Sequence, residues 1–215
     1  MGFFISLWYL MRSFLLRGIL NTILLFKDEA RWDKTLGIHT RRFKKSRSRE
    51  YFHYQGAGYK LLFKLFSALD PGIKHYRFVD IGSGLGRAVF VAEQCGFTKL
   101  VGIELDKDLY EEAGQNLHRF TPSNPKSEIC FIHQNALEAS YENSRCVYFL
   151  FNPFNRSVLE QVLRRIQSGT QEDTWFIYMN PLFREAFQSP AFEHISTFKT
   201  RFYTEAMVFR LRPKA

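Results

Sequence analysis

The run Phe78-Val79-Asp80-Ile81-Gly82-Ser83-Gly84-Leu85-Gly86 constrains the fold more tightly than any other part of this 215-residue chain. A short apolar run ends at three glycines in alternate positions, and Arg87 to Cys95 then has helical composition and stops at Gly96. Strand, glycine turn and helix in that order open a parallel α/β unit, and a turn without side chains lets a ligand approach its backbone closely. The spacing narrows the ligand. A dinucleotide-binding turn is G-x-G-x-x-G with pyrophosphate at the helix N-terminus, whereas this turn is G-x-G-x-G with Asp80 before it. An acid at the strand end suits a cationic, nucleotide-like ligand. Glu104 follows the next strand, 24 residues after Asp80, where its carboxylate can accept hydrogen bonds from both hydroxyls of a ribose.

The alternation continues on both sides of this unit. Leu61, Leu62, Leu65, Phe66 and Leu69 share one helical face that ends at Asp70-Pro71-Gly72. Leu100 to Ile103 is predicted as a second strand, followed by a helix from Asp108 to about His118 that buries Leu109, Ala113 and Leu117. Ile129 to His133 is a third strand, and Cys146 to Phe151 a fourth that is apolar on both faces, as interior parallel strands are. Asn155 is predicted to cap a helix carrying Val158, Leu159, Val162, Leu163 and Ile166, and Trp175 to Met179 is a fifth strand. His194 to Lys199 and Glu205 to Leu211 are joined too closely for a crossover helix and are expected to form an antiparallel hairpin.

Over about residues 55 to 212 the chain resembles the class I S-adenosylmethionine-dependent methyltransferases, and V-D-I-G-S-G-L-G-R is a specific form of their first motif. The resemblance implies an α/β, Rossmann-like, doubly wound seven-stranded sheet, mostly parallel with an antiparallel C-terminal hairpin strand, and S-adenosyl-L-methionine as cofactor. It further implies that Asp80, Gly82, Gly84 and Gly86 contact the methionine end, that Glu104 holds the ribose, and that Asn135 and Ala136 meet the adenine where the family more often has Asp. Tyr54 and Tyr59 precede the first helix of this region, in an aromatic segment able either to fold over the cofactor as a lid or to pack; Tyr59 is counted with the cofactor contacts.

Asn152-Pro153-Phe154 closes the fourth strand at the carboxyl edge, where open α/β sheets bind ligands, and is expected to be catalytic. A target amine must aim its lone pair in line with the methyl group, so acceptors for its N–H groups and an aromatic wall against water would position it. The triplet resembles the [D/N]-P-P-[Y/F] motif of amino-group methyltransferases with one proline missing, and the asparagine-phenylalanine element of the class I fold histone lysine methyltransferases. Its alternative role is a turn that closes the strand with Phe154 in the core. The expected activity is N-methylation of a protein acceptor bearing a lysine-like amine. Methylation of nucleic acid or a small molecule, and cofactor binding without catalysis, are the competing readings.

Charge sets the N-terminal quarter apart. Of a net +9, residues 1–60 carry 12 Lys/Arg against 4 Asp/Glu, and the remainder is balanced at 18 against 17. Residues 3–26 are apolar with a polar stripe of Ser6, Ser13, Arg17 and Asn21, which describes an amphipathic helix. Arg12 and Arg17 argue against a membrane span, at about 2.5 to 3.5 kcal/mol each near a bilayer centre. Residues 41–49 hold six basic side chains in nine positions, read as a mobile linker or a lipid contact in preference to nucleic-acid recognition. The expected organisation is an N-terminal helix and basic linker over residues 1–50 and a methyltransferase domain over residues 51–215. Residues 3–49 would meet an anionic membrane surface, or the helix would pack on the domain or on a second copy. Three scattered cysteines and six histidines without metal-ligand spacing support neither a disulfide framework nor a catalytic metal. A cytoplasmic location, peripheral at a membrane, follows as the expectation.

Overall fold

Buried apolar strands alternate with amphipathic helices along the whole C-terminal three-quarters of the chain, in a computed structural model that describes residues 29–46, 48, 50–141 and 144–212 and isolated positions at 11, 14, 15, 18–20 and 23. The elements are α1 (Glu29–Leu36), α2 (Tyr59–Ser67), β1 (Arg77–Ile81), α3 (Arg87–Gln94), β2 (Lys99–Glu104), α4 (Lys107–Arg119), β3 (Glu128–His133), β4 (Cys146–Phe151), α5 (Arg156–Gly169), β5 (Thr174–Met179), β6 (Phe192–Thr200) and β7 (Tyr203–Leu211). The strands form one seven-stranded sheet in the order β3-β2-β1-β4-β5-β7-β6. β1 to β5 are parallel, β7 is inserted antiparallel beside β5, and β6 pairs antiparallel with β7. This is the doubly wound sheet with an antiparallel terminal hairpin that the sequence led us to expect.

Local chemistry fixes the joins. Asn155 caps α5 by accepting the Val158 N–H at 3.0 Å, Asp106 caps α4 through the N–H groups of Asp108 and Leu109, and the Asp70 carboxylate accepts the Gly72 N–H at the start of a 3-10 turn. One apolar cluster packs α1, α2 and α3 on one face of the sheet; a second packs α5 on the other.

Two expectations change here. The Leu117 position in α4 is only half-buried, because Asn116 takes the interior place: its carboxamide accepts the His39 N–H and donates to the His39 and Leu85 carbonyls. The boundary expected at residue 50 runs through packed structure. Leu36 and Ile38 lie in the same core as α2 and α3, and buried Asp33 accepts hydrogen bonds from the Thr40 N–H and hydroxyl and from the Tyr59 hydroxyl. The amphipathic helix of residues 3–26 lies outside the described residues, apart from the isolated positions.

Candidate functional site

The carboxyl ends of β1, β2 and β4 open on one cavity of about 570 Å³, within the span of roughly 300 to 1,000 Å³ usual for small-molecule sites. Asp80 and Gly82 reach it from β1 and its turn, Glu104 from β2, Ala136 from the turn after β3, and Asn152, Pro153 and Phe154 from the turn after β4.

Between β1 and α3 the backbone passes through left-handed φ at Gly82 (+81) and Gly84 (+54). A Cβ on Gly82 would meet Pro153 Cβ at 2.7 Å, and one on Gly84 would overlap the Tyr54 ring. The N–H groups of this turn are used inside the protein. Gly82 and Ser83 both donate to the Ile103 carbonyl, at 2.9 and 3.0 Å, Gly86 donates to the Ser83 carbonyl at 2.9 Å, and Gly84 donates to Glu104 Oε2 at 2.7 Å. The other oxygen of Glu104 accepts the Asp106 N–H at 2.8 Å. The turn therefore does not offer the converging free N–H groups that cradle a phosphate.

Its cavity side is acidic instead. Asp80 is 3% exposed, and among the described residues no hydrogen-bond donor reaches its carboxylate. Burial pushes its pKa well above the ordinary value, and the charge of Glu104 pushes it further. Burial also raises Glu104, against the opposing pull of the Asp106 and Gly84 N–H groups. Two carboxyls that burial disfavours as anions await a partner that is positively charged or rich in donors.

At the other end, Asn152 sits at φ +42 with its Oδ1 accepting the Tyr178 hydroxyl at 2.7 Å. The Pro153 carbonyl accepts the Phe52 N–H at 3.0 Å. Phe154 is buried against Tyr51, whose ring meets it edge-on at 5.9 Å.

No protein-family model matches the chain, and no curated protein matches it in sequence. Its similarity lies in solved structures. A protein of Escherichia coli described as a methyltransferase superposes with a TM-score of 0.60 at 13% identity, over 80% of this chain and 92% of the other. One from Pyrococcus horikoshii, described as an RNA methyltransferase, gives 0.55 at 14% identity over 85% and 98%. Magnesium protoporphyrin IX methyltransferase from Synechocystis, solved with S-adenosylmethionine, gives 0.54 at 14% identity over 72% and 77%. The fold is that of the class I S-adenosylmethionine-dependent methyltransferases.

Within this methyltransferase fold, several residues named from the sequence stand away from the cavity. Tyr59 is fully buried, its hydroxyl donates to Asp33 Oδ1 at 2.5 Å, and the Arg87 guanidinium lies over its ring at 4.4 Å; it packs and does not line the site. Gly84 and Gly86 do not line the cavity: the Tyr54 ring lies over Gly84, and Gly86 backs onto Phe131, which a Cβ would meet at 2.5 Å. Asn135 does not line the cavity either: its Oδ1 accepts the Leu137 N–H and the Tyr51 hydroxyl, whereas its neighbours Gln134 and Ala136 do line it.

The largest feature missed from sequence is a strap over this cavity, formed by residues 43–46, 48 and 50–57. It is closed by a two-residue antiparallel pairing of Phe43–Lys44 with Tyr54–Gln55. Tyr51 bridges Phe154, and the Asn155 N–H donates to the Glu50 carbonyl at 2.8 Å. Tyr54 lies over Gly84 and lines the cavity, and burial raises its pKa. Lys44 donates to Asp106 at 2.5 Å and Asp108 at 2.7 Å; burial lowers its pKa, but the two carboxylates outweigh that and leave it raised. Arg41 pairs with Asp33 and Arg42 with Glu112, so half of the basic cluster expected to meet lipid or solvent is tied to the fold. Arg87, the last residue of the glycine motif, anchors the strap: it is 4% exposed and donates to Glu29, to Thr40 Oγ1 at 2.7 Å and to the Ala57 carbonyl at 2.8 Å.

Proposed function

We propose that this chain is an S-adenosylmethionine-dependent methyltransferase that methylates a nitrogen on a protein acceptor, a lysine-like amine. The reading rests on one observation above all: the glycine turn has spent its N–H groups internally while the Asp80 carboxylate faces the cavity without a donor. A pyrophosphate would meet acids there. A ligand with an α-amino group, a sulfonium and a ribose would meet acceptors, with Asp80 at the cationic end and Glu104 keeping lone pairs for hydroxyls. Leu105, 41% exposed beside Glu104, and Ala136 give the same cavity an apolar wall suited to a flat base. When bound, the cofactor supplies a methyl group on a positively charged sulfur, so the protein has mainly to orient a neutral nucleophile and exclude water. Asn152 orients the nucleophile; Phe154, Tyr51 and Phe52 wall off solvent on that side. We place the enzyme in the cytoplasm, with residues 3–26 as its contact to an anionic membrane surface. Sedimentation of the full chain with anionic vesicles tests that contact, and a chain that stays in the supernatant removes it.

The activity is tested by titrating the cofactor and its demethylated product calorimetrically, then following labelled methyl from the cofactor into fractionated lysate. Label in protein is the expected outcome. Label in RNA or small molecules moves the acceptor to that class, and no binding of either cofactor form removes the methyltransferase reading.

A further inference from the structure

Asn152 leaves β4 in a left-handed conformation, which Asn tolerates better than most residues, and the residue is 5% exposed. What decides how that carboxamide points is a residue on the neighbouring strand. Tyr178, the penultimate residue of β5, is fully buried, with Leu150 as its register partner on β4 and Phe187 packed against its ring at 5.6 Å. Its hydroxyl oxygen accepts the Phe183 N–H at 3.3 Å and lies 2.7 Å from Asn152 Oδ1. Burial keeps the phenol protonated, against the pull of the Phe183 N–H, with Glu185 adding to the rise.

These contacts leave little choice of orientation. With a backbone N–H already donating to the hydroxyl oxygen, the phenolic proton must go to an acceptor, and the carboxamide oxygen of Asn152 is the one in reach. If the carboxamide were turned over, the Tyr178 oxygen would accept twice and its own proton would be buried without a partner, at the cost of an unmade hydrogen bond. We infer that Tyr178 is the positioning residue of the acceptor site, holding Asn152 so that Nδ2 and one free lone pair of Oδ1 face the cavity. The inference rests on the methyltransferase reading for what the orientation accomplishes, but not for the orientation itself. The same hydroxyl ties the segment after β5 to the triplet, and Phe183 of that segment stacks on Phe52 of the strap at 6.2 Å, so one buried oxygen joins Asn152 to the rim.

Tyr178→Phe removes that oxygen and keeps the ring, and two measurements read the result. In ¹⁵N-labelled full-length protein, the Asn152 side-chain amide signals, assigned by their loss in Asn152→Ala, should shift and exchange faster in Tyr178→Phe. Cofactor affinity should stay within about twofold, because nothing in the glycine turn changes. Transfer of labelled methyl to the lysate protein fraction at saturating cofactor should fall by up to about 100-fold, the cost of misplacing a reacting geometry. In an Asn152→Ala background the same change should cost nothing further. Unmoved Asn152 signals, or an equal loss of transfer in both backgrounds, would overturn the assignment. Absence of transfer by the wild-type chain would count against the proposed activity alone, since the amide signals still decide what Tyr178 holds.

Discussion

The Glu104 carboxylate accepts the Gly84 backbone N–H at 2.7 Å, so the acid that ends β2 and the turn that ends β1 are one hydrogen-bonded unit. A ribose ligand would join this unit and not replace it, because a carboxylate oxygen accepts more than one bond.

Glu104→Ala should therefore lose twice. It leaves the Gly84 and Asp106 N–H groups without their acceptor, and removes the acceptor we propose for the ribose. We expect cofactor affinity to fall by about 1.5 to 3 kcal/mol, the range for hydrogen bonds to a charged group, with a drop in thermal midpoint of the free protein. Calorimetric titration and differential scanning calorimetry check the two losses; unchanged affinity would take Glu104 out of the cofactor site.

A double substitution separates backbone strain from crowding at the turn. Gly84→Ala puts a methyl group into the Tyr54 ring and places alanine at φ +54. In a Tyr54→Ala background only the backbone cost of about 1 to 2 kcal/mol should remain. Urea unfolding of the four proteins measures the coupling, and additivity would show that Tyr54 does not rest on the turn.

Asp80 predicts a pH dependence. Its folded pKa is raised, so the folded chain keeps a proton that the unfolded chain releases, and this contribution to stability is lost as pH rises from the ordinary value of about 3.9 through the raised one. A cationic ligand reverses the sign by favouring the carboxylate. Affinity for S-adenosylmethionine should rise with pH across that window, with a proton released to the buffer on binding. Asp80→Asn should abolish the release. Titrations in buffers of different ionisation enthalpy measure it, and a proton count of zero in the wild type would remove Asp80 from the cationic end.

Arg87→Ala should cost about 3 to 5 kcal/mol, because it removes a buried guanidinium and strands the half-buried Glu29 carboxylate and the buried Thr40 and Ala57 groups that it joins. For the same reason a chain beginning at residue 51, which lacks Glu29, Asp33, Ile38 and Thr40, should fail to fold. Denaturant midpoints and circular dichroism test both; a cooperative transition at wild-type stability in the truncated chain would show that residues 29–50 only rest on the surface.

Periodicity made the sheet and its helices legible because the interior strands β1, β4 and β5 bury nearly continuous apolar runs and α5 an apolar stripe; even the Asn155 cap could be named in advance. The acids and glycines around the cavity were legible because they sit at fixed offsets from those runs. The strap was not. Arg41, Arg42 and Lys44 form a basic run in sequence, and nothing local reveals that Asp33, Glu112, Asp106 and Asp108 neutralise them in space. Tyr59, beside a glycine-rich stretch, could be read equally as a lid or as packing, and its place at the start of α2, facing Arg87 and Asp33, is settled by a tertiary network. Tyr178 carried a faint signal: a hydroxyl near the end of an apolar strand needs a partner, and the end of a neighbouring parallel strand is where one would be sought.

The strap also sets an order of events during synthesis. Tyr51 and its partner Asn135 are separated by 84 positions, and Phe154 and Asn155 lie further along still. While the ribosome is making β1 and β2, the segment that will roof the cavity has already been made but still lacks Asn135, Phe154 and Asn155, and the loop to be drawn in is long. Glu50, Tyr51 and Phe52 must wait in the nascent chain until β4 and the turn after it have been translated and docked. The side of the cavity lined by Tyr51 and Phe154 is thus completed late, and a chaperone that shields this segment would act on the last step by which the cavity is closed.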